Sequence, residues 1–264
     1  MGHKKCDIEQ KLDFQVIRDY LKSFCTSPLG QQRVDELSWL NHYDTVLHLL
    51  AQLREMLSVL SDPSLSFPQG DIYDLREAMS RIRIEGLFLD ENELFSLRKM
   101  LDYVSQLTRF FSQLDATTYP LLANMPRSLT APSNLIPSID RIIDRYGKMK
   151  DSASPELARI RKDIAQSQGS VSRALHAILR QAQAEGLLDK DAAPTMREGR
   201  LVLPVPPAYK RKIGGIVHDE SATGKTVFIE PAEVVEANNR IRELEAEEKR
   251  EIIAILTAFS LELR

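Results

Sequence analysis

The spacing of apolar residues along the chain changes character near residue 150. Before that point apolar residues recur at helical intervals, beginning with Phe14, Ile17 and Tyr20. A second predicted helix, over residues 44–60, carries a wide apolar stripe that needs partner helices to cover it. Prolines and polar residues separate these segments, so the pattern predicts an all-helical bundle with short connectors over residues 1–150.

Three further helices are predicted within this bundle. One covers residues 74–83, one is capped by Asp90 and ends near residue 114, and one covers residues 136–146. Residues 119–132 contain three prolines, which interrupt helices, so we expect a loop there.

Two long helices are predicted after the bundle. Ser154 is a suitable N-cap for the first, because Pro155 follows at a position where helices tolerate proline. Its apolar residues recur at an interval of seven, which is typical of two-helix packing: Leu157, Ile164, Val171 and Ile178. The second begins at Pro231 and continues through residue 263. Each is roughly 45 Å long at 1.5 Å per residue, so the reversing chain predicts an antiparallel arm.

Short strands are predicted between the two long helices, at residues 200–205, 213–218 and 226–230. Prolines 204, 206 and 207 place the first of them near a sheet edge. The predicted fold class is therefore mainly α, with a helical bundle core and a long antiparallel two-helix arm that carries a small antiparallel β tip. The domain limits are 1–150 for the bundle, 151–194 for the first arm helix and connector, 195–231 for the tip and 232–264 for the returning helix. Because the chain ends within a helical pattern, we expect further sequence downstream.

The tripeptide Gly224-Lys225-Thr226 matches the end of a phosphate-binding P-loop, but its surroundings do not. A P-loop has a glycine where this chain has Asp219, whose carboxylate would repel phosphate. A P-loop also leads into a helix, whereas residues 227–229 are β-branched and aromatic and predict a strand. The sequence therefore predicts a hairpin with Gly224 at its turn and no ATP site.

Charge along the chain points to one local surface. The whole chain has 35 Lys and Arg residues against 38 Asp and Glu, a formal charge of -3, so it is not a generally basic protein. Residues 197–225 differ, with three acidic residues and six basic ones, a net of +3. The basic residues are our candidate nucleic-acid-binding residues: Arg197, Arg200, Lys210, Arg211, Lys212 and Lys225. Plain solubilising charge is the alternative interpretation.

Direct chemistry is not expected in this chain. The five histidines show no metal-ligand spacing, and the two cysteines, Cys6 and Cys25, fit neither a disulfide framework nor a metal site. For His218 and Asp219 we favour a turn with local hydrogen bonds over a catalytic role. We therefore expect no catalytic residue, no metal and no cofactor. Because the sequence has no long apolar run and no signal peptide, we also expect a cytoplasmic protein without a membrane partner.

Several stretches resemble the MutS-II branch of the MutS family, whose members are similar to DNA mismatch-recognition ATPases. The strongest is GIVHDESATGKTVFIEP, preceded by REGRLVLPVPPAYK and followed by EVVEANNRIRELEAEEKREI. The family's residues stand here at 215–219, Ser221, Gly224, Thr226 and 228–231, while Lys225 occupies a variable place. The stretch from Leu12 onward, with its Ser-Pro-Leu-Gly, also resembles the start of a MutS core.

The resemblance implies a core bundle, a lever of paired helices and a clamp-like tip. It implies a non-catalytic, DNA-binding region that acts on branched or recombination-intermediate DNA. ATP and Mg are expected in a later ATPase domain outside these 264 residues, and an endonuclease domain often follows in the family. The full-length protein is expected to be a homodimer. A mismatch-reading domain has no room before the core, so mismatch recognition is not expected.

Two other functions stay open at this stage. A long arm with a basic tip could equally engage RNA or the ribosome, as in a ribosome-rescue ATPase. Alternatively, the seam helices pair between chains in a purely structural dimerisation module. Binding assays with branched DNA, duplex RNA and ribosomes separate the first two functions, and light scattering tests the third.

Overall fold

The computed structural model describes Glu9, residues 11–128 and residues 134–264. The chain divides into two compact units, here called unit 1 (Met1–Lys150 and Leu256–Arg264) and unit 2 (Asp151–Ile255). The architecture is mainly α with one small antiparallel sheet, which confirms the predicted fold class. None of the helices in the described ranges has the length and apolarity needed to cross a membrane.

Unit 1 is built from helices joined by short connectors. A capping box begins the longest of them: Asp90 accepts a hydrogen bond from the Glu93 amide at 2.8 Å, and the Glu93 side chain accepts one in return. The helices of this unit are Phe14–Ser23, Pro28–Asp35, Tyr43–Ser61, Arg76–Arg81, Glu91–Gln113, Pro120–Asn124 and Leu135–Ile142, together with the last turns of Ala232–Glu262.

The loop predicted over residues 119–132 is wrong for its first part. Pro120–Asn124 is an α-helix and Met125–Ser128 a 3-10 turn, while residues 129–133 lie outside the described residues. Pro120 occupies the first helical turn, where its missing N–H costs nothing. The carboxylate of Glu55 accepts hydrogen bonds from the amides of Leu121 and Leu122 at 3.1 and 3.0 Å. Sequence-distant capping therefore stabilises a helix where proline content predicts none.

Two other predictions for unit 1 need correction. The helix predicted to reach residue 146 ends at Ile142, because Ile143 pairs with Met149 as an isolated β-bridge around a tight turn. The stripe on Tyr43–Ser61 is largely uncovered by the described residues, since this helix turns its Val59 side inward. The exposed stripe leucines are Leu47, Leu50, Leu53, Leu57 and Leu60.

Unit 2 pairs two long helices, Pro155–Ala184 and Ala232–Glu262. Ser154 caps the first by accepting a hydrogen bond from the Leu157 amide at 2.9 Å, as predicted. The helices run antiparallel, because Arg161 donates to Glu248 at 2.6 Å while the later Val171 shares a core with the earlier Ile241. Of the predicted seam residues, Leu157 and Val171 are buried and Ile164 and Ile178 are half-buried.

The sheet of unit 2 has four strands: β1 (Thr195–Arg197), β2 (Arg200–Val205), β3 (Gly215–Glu220) and β4 (Val227–Pro231). Their order is β1-β2-β4-β3 and every pairing is antiparallel. In the strand order β2 lies between β1 and β4 and not at the edge, but its second half, residues 203–205, pairs with β4 alone, as an edge strand does. At Pro204 only β4 is a ladder partner, so the missing N–H of proline is tolerated. One sheet face packs on the long helices through Leu203, Val205, Val227 and Ile229.

Candidate nucleic-acid interface

The Gly224-Lys225-Thr226 tripeptide lies in the turn that joins β3 to β4. The Ser221 amide donates to the Thr226 carbonyl at 2.8 Å, and the Thr226 amide donates to the Ser221 hydroxyl at 3.0 Å. Gly224 has φ +66°, a left-handed conformation that favours glycine. A strand follows instead of a helix, so these residues do not fit a phosphate-binding loop.

We expect this chain to show no saturable ATP binding and no ATP hydrolysis. The turn supplies neither the converging amides of a P-loop nor a helix N-terminus for the phosphates. Isothermal titration with Mg-ATP checks this. Saturable binding that disappears in Lys225→Ala would contradict the hairpin interpretation.

A buried carboxylate organises the base of the sheet. Glu230 is fully buried and accepts hydrogen bonds from Arg200 Nη1 at 2.7 Å and from Asn238 Nδ2 at 2.7 Å. Its other oxygen lies 2.6 Å from His218 Nε2, which therefore carries the proton, because a carboxylate only accepts. Arg200 Nη2 also donates to Asn239 Oδ1 at 2.6 Å. Together these five residues, here called the Glu230 network, join β2, β3 and β4 to the second long helix.

The pKa of Glu230 depends on two opposing effects, burial and the partners in this network. Burial by itself raises the pKa of the carboxyl, because desolvation disfavours the charged form. Hydrogen bonds from His218, Asn238 and Arg200, together with the charge of Arg200, outweigh burial, and the pKa lies below its usual value. Glu230 is therefore a charged, fully buried residue whose charge is stabilised by its partners.

Backbone geometry brings β3 close enough to complete the network. The pairing register shifts between Val217 and Asp219, so His218 sits in a bulge opposite β4. At the start of the strand, Gly215 has φ +139°, and a Cβ built there would lie 2.0 Å from the Glu230 carbonyl oxygen. Only glycine permits this approach of the two strands.

Three of the candidate basic residues form a compact exposed group. Lys210, Arg211 and Lys212 belong to a short helical turn, Lys210–Ile213, between β2 and β3. Tyr209 and Ile213, on either side of them, pack against the core of unit 2 and fix the turn to the sheet. Within the described residues, no acidic side chain forms an ion pair with any of the three cations, here called the basic turn.

The other candidates differ in availability. Lys225 is exposed in the β3–β4 turn. Arg197 lies over the Phe228 ring at 4.1 Å from its centroid, with its Nε 3.1 Å from Asp219 Oδ2. Arg200 is mostly buried and both its terminal nitrogens are occupied within the Glu230 network. The structure thus brings Lys210, Arg211 and Lys212 together and ties Arg200 to Glu230.

Sequence reasoning missed Glu230 and Asn238 as organising residues. A charged residue inside the apolar run VFIEP is the signal that points to Glu230, because a buried carboxylate needs charged and hydrogen-bonding partners. Asn238 gave no such signal. In the ranges that the structure describes, no group of three or more His, Cys, Asp or Glu side chains could hold a metal ion.

Comparison with known proteins gives one consistent result. No protein-family model matches the chain. Similar curated proteins include the Endonuclease MutS2 of Geobacillus sp. (strain WCH70), 35% identical over 248 residues, which are 93% of this chain and 31% of that protein. The Endonuclease MutS2 of Halalkalibacterium halodurans is 33% identical over 96% of this chain and 32% of its own length. That of Enterococcus faecalis is 34% identical with the same coverage.

The chain spans about a third of the length of the curated relatives it matches. The matches cover more than nine-tenths of this chain. Along nearly its whole length the chain is therefore similar to one part of bacterial proteins named Endonuclease MutS2.

Proposed function

We propose that this chain is a non-catalytic DNA-binding region of a MutS-II-type ATPase and that it acts on branched or recombination-intermediate DNA. The names of the relatives support nucleic acid as the substrate class, since an endonuclease cleaves nucleic acid, and the resemblance to the MutS family favours DNA. In this proposal ATP and Mg bind elsewhere in the longer protein, which is a homodimer and carries an endonuclease domain. The two long helices are its lever and the sheet its clamp-like tip.

The basic turn is the observation that carries the proposal. Lys210, Arg211 and Lys212 are exposed and lack ion-pair partners among the described residues, while Tyr209 and Ile213 hold the turn against the core. An ordered group of three cations approaches a phosphate backbone without first breaking internal ion pairs. Scattered solubilising charge does not require this anchoring.

The tip suits backbone contacts better than base recognition. Its cations are point charges or exposed guanidinium groups, which hold phosphates without carrying sequence information. Tyr209 is half-buried against the core, so the basic turn offers no free aromatic face for stacking. We therefore expect binding to depend strongly on salt and weakly on sequence.

Replacing Lys210, Arg211 and Lys212 together by alanine is expected to weaken binding to a four-way DNA junction. Each lost phosphate contact lowers the magnitude of the slope of log K against log salt by about 0.9, so the slope of the triple variant should be smaller by about 2.7 than that of the parent. The measurement is a salt titration of junction binding by fluorescence anisotropy, with circular dichroism to confirm folding.

A matched variant separates the tip from general charge. Lys162, Arg173 and Arg180 are exposed on the first long helix, and their triple alanine variant removes the same charge outside the tip. For this control variant, the salt slope of junction binding should stay close to that of the parent. Equal slopes for the parent and the tip variant would remove the tip from DNA binding. Tip-dependent binding that is stronger for duplex RNA or ribosomes than for junction DNA would favour the ribosome-rescue alternative.

A further inference from the structure

A cationic cleft in unit 1 has no role in the function proposed above. It encloses about 400 Å³ beside the helix Glu91–Gln113, a volume within the range of small-molecule sites. We propose that this cleft binds an unpaired nucleic-acid strand through its phosphates and bases. The proposal does not depend on the tip. The cleft is lined by Phe95, Arg98, Lys99, Asp140, Ile143, Asp144, Arg145 and Lys150.

One wall of the cleft is a tight turn, residues 144–148, here called the cleft turn. The Asp144 carboxylate accepts hydrogen bonds from the amides of Tyr146 and Lys148 at 2.8 and 2.9 Å. Gly147 has φ +80°, and a Cβ built there would lie 2.8 Å from Phe95 Cγ. The cleft turn therefore sits directly against Phe95, and its geometry holds Arg145 and Tyr146 at the surface.

Both acidic residues of the cleft are engaged by groups of the protein. Asp140 Oδ1 accepts a hydrogen bond from Arg98 Nε at 3.0 Å, and Arg98 also lies 3.9 Å from Asp102. The Asp144 carboxylate is taken up by the two backbone amides of Lys148 and Tyr146, which hold its pKa below the usual value. Asp144 keeps its charge, which acts on Lys150 and Arg145, so the lining of the cleft carries four cations against two carboxylates, a net of +2.

Three cations remain for a ligand. Lys150 donates to the main-chain carbonyl of Asp140 and forms no ion pair among the described residues, although it feels the charge of Asp144. Arg145 is exposed and, among the described residues, forms no ion pair. Lys99 donates to the Tyr73 hydroxyl at 3.3 Å and lies 3.7 Å from Asp71, whose carboxylate is mostly exposed and so neutralises it weakly. Convergent cations of this kind favour a phosphorylated ligand.

Aromatic rings lie beside the cations and favour a nucleic-acid strand whose bases are accessible over a duplex. The Lys99 ammonium lies 4.8 Å from the Phe95 centroid, and the Arg145 guanidinium lies 4.7 Å from that of Tyr146. Tyr146 is 68% exposed, so its ring is available for stacking. In a duplex the bases stack on each other, whereas an unpaired strand offers them to aromatic side chains.

The test uses a fluorescein-labelled oligo(dT) of about 12 nucleotides, within the usual site size for single strands. The double variant Arg145→Ala, Lys150→Gln should lower the salt slope of binding by about 1.4, since each single-strand phosphate contact contributes about 0.7. Tyr146→Ala should weaken binding about fivefold or more without changing the slope, because stacking releases no counterions. Arg145→Ala alone changes an exposed side chain and serves as a second variant should the double variant unfold.

Arg141→Ala is the matched control. Arg141 is a nearby exposed cation that donates to Ser138 Oγ and does not line the cleft. Equal losses of oligo(dT) affinity in this control and in the cleft variants would overturn the proposal. So would a Tyr146→Ala variant that binds oligo(dT) as tightly as the parent. A mononucleotide that competes as well as the oligonucleotide would also overturn it. The alanine variant of the basic turn should keep oligo(dT) binding, so failure here and failure of the junction prediction are distinguishable.

Discussion

Glu230→Ala is expected to destabilise unit 2 by about 3 kcal/mol, because it leaves the mostly buried Arg200 guanidinium without its counter-ion. The same change removes the acceptor of His218 and Asn238. Hydrogen exchange at the amides of β3 and β4 measures the effect where it arises. The single tryptophan, Trp39, lies in unit 1, so its fluorescence follows the other unit as an internal control.

A glutamate on the second long helix, which follows β4, controls for the loss of a carboxylate. Glu236 is exposed, and Glu236→Ala should change the free energy of unfolding by less than about 0.5 kcal/mol. Equal protection of the β3 and β4 amides from hydrogen exchange in the Glu230→Ala and Glu236→Ala variants would show that the Glu230 network does not stabilise the sheet.

The contribution of Glu230 should also depend on pH. Its folded-state pKa is lowered, so the stabilisation is present above the ordinary glutamate pKa and is lost as pH falls through the folded value. The difference in stability between the parent and Glu230→Gln should therefore be full at neutral pH and should shrink below about pH 4. A difference that grew on acidification would have the wrong sign.

Gly215→Ala is expected to cost about 3 kcal/mol or more, since its Cβ would meet backbone atoms that cannot rotate away. The nearest are the carbonyl oxygen of Glu230 at 2.0 Å and the Cα of Pro231 at 2.9 Å. A residue with a Cβ at φ +139° also strains the backbone, because L residues rarely adopt that conformation. Chemical denaturation followed by far-UV circular dichroism, with exchange at β3, measures the loss.

The neighbouring Gly214 provides the control. It also has a positive φ, +65°, but a Cβ there meets nothing within 4 Å. Gly214→Ala should therefore cost only backbone strain, on the order of 1–3 kcal/mol, because φ +65° with ψ 138° is a conformation that residues with a Cβ rarely adopt. Similar losses in the two variants would show that conformation, and not the close approach of β3 and β4, decides the effect at Gly215.

The elements of the fold that depend on local signals were predictable. Ser154 and Pro155 mark the start of the first long helix, and Asp90 begins the helix Glu91–Gln113, because a cap needs only residues within one turn. The interval of seven from Leu157 to Val171 indicated the two-helix seam. The β-branched run after Lys225 indicated a strand and so the hairpin.

The candidate site was predictable only in part. Local charge identified Lys210, Arg211 and Lys212, because their concentration is a property of the sequence alone. It could not separate them from Arg200, whose partner Glu230 is 30 residues away. Exposure and pairing distinguish the two cases, and both depend on how β2 and β4 lie side by side.

The sequence by itself determined the two long helices, three of the four strands and the caps at Asp90 and Ser154, since hydrophobic period and capping chemistry act over a few residues. Tertiary structure alone decided the rest, because contacts between distant residues have no local pattern. Glu55 caps a helix 66 residues away, which turns a proline-rich stretch into Pro120–Asn124. In the same way the pairing of β3 with β4 brings His218 to Glu230, and the cleft turn reaches Phe95 only after unit 1 has folded.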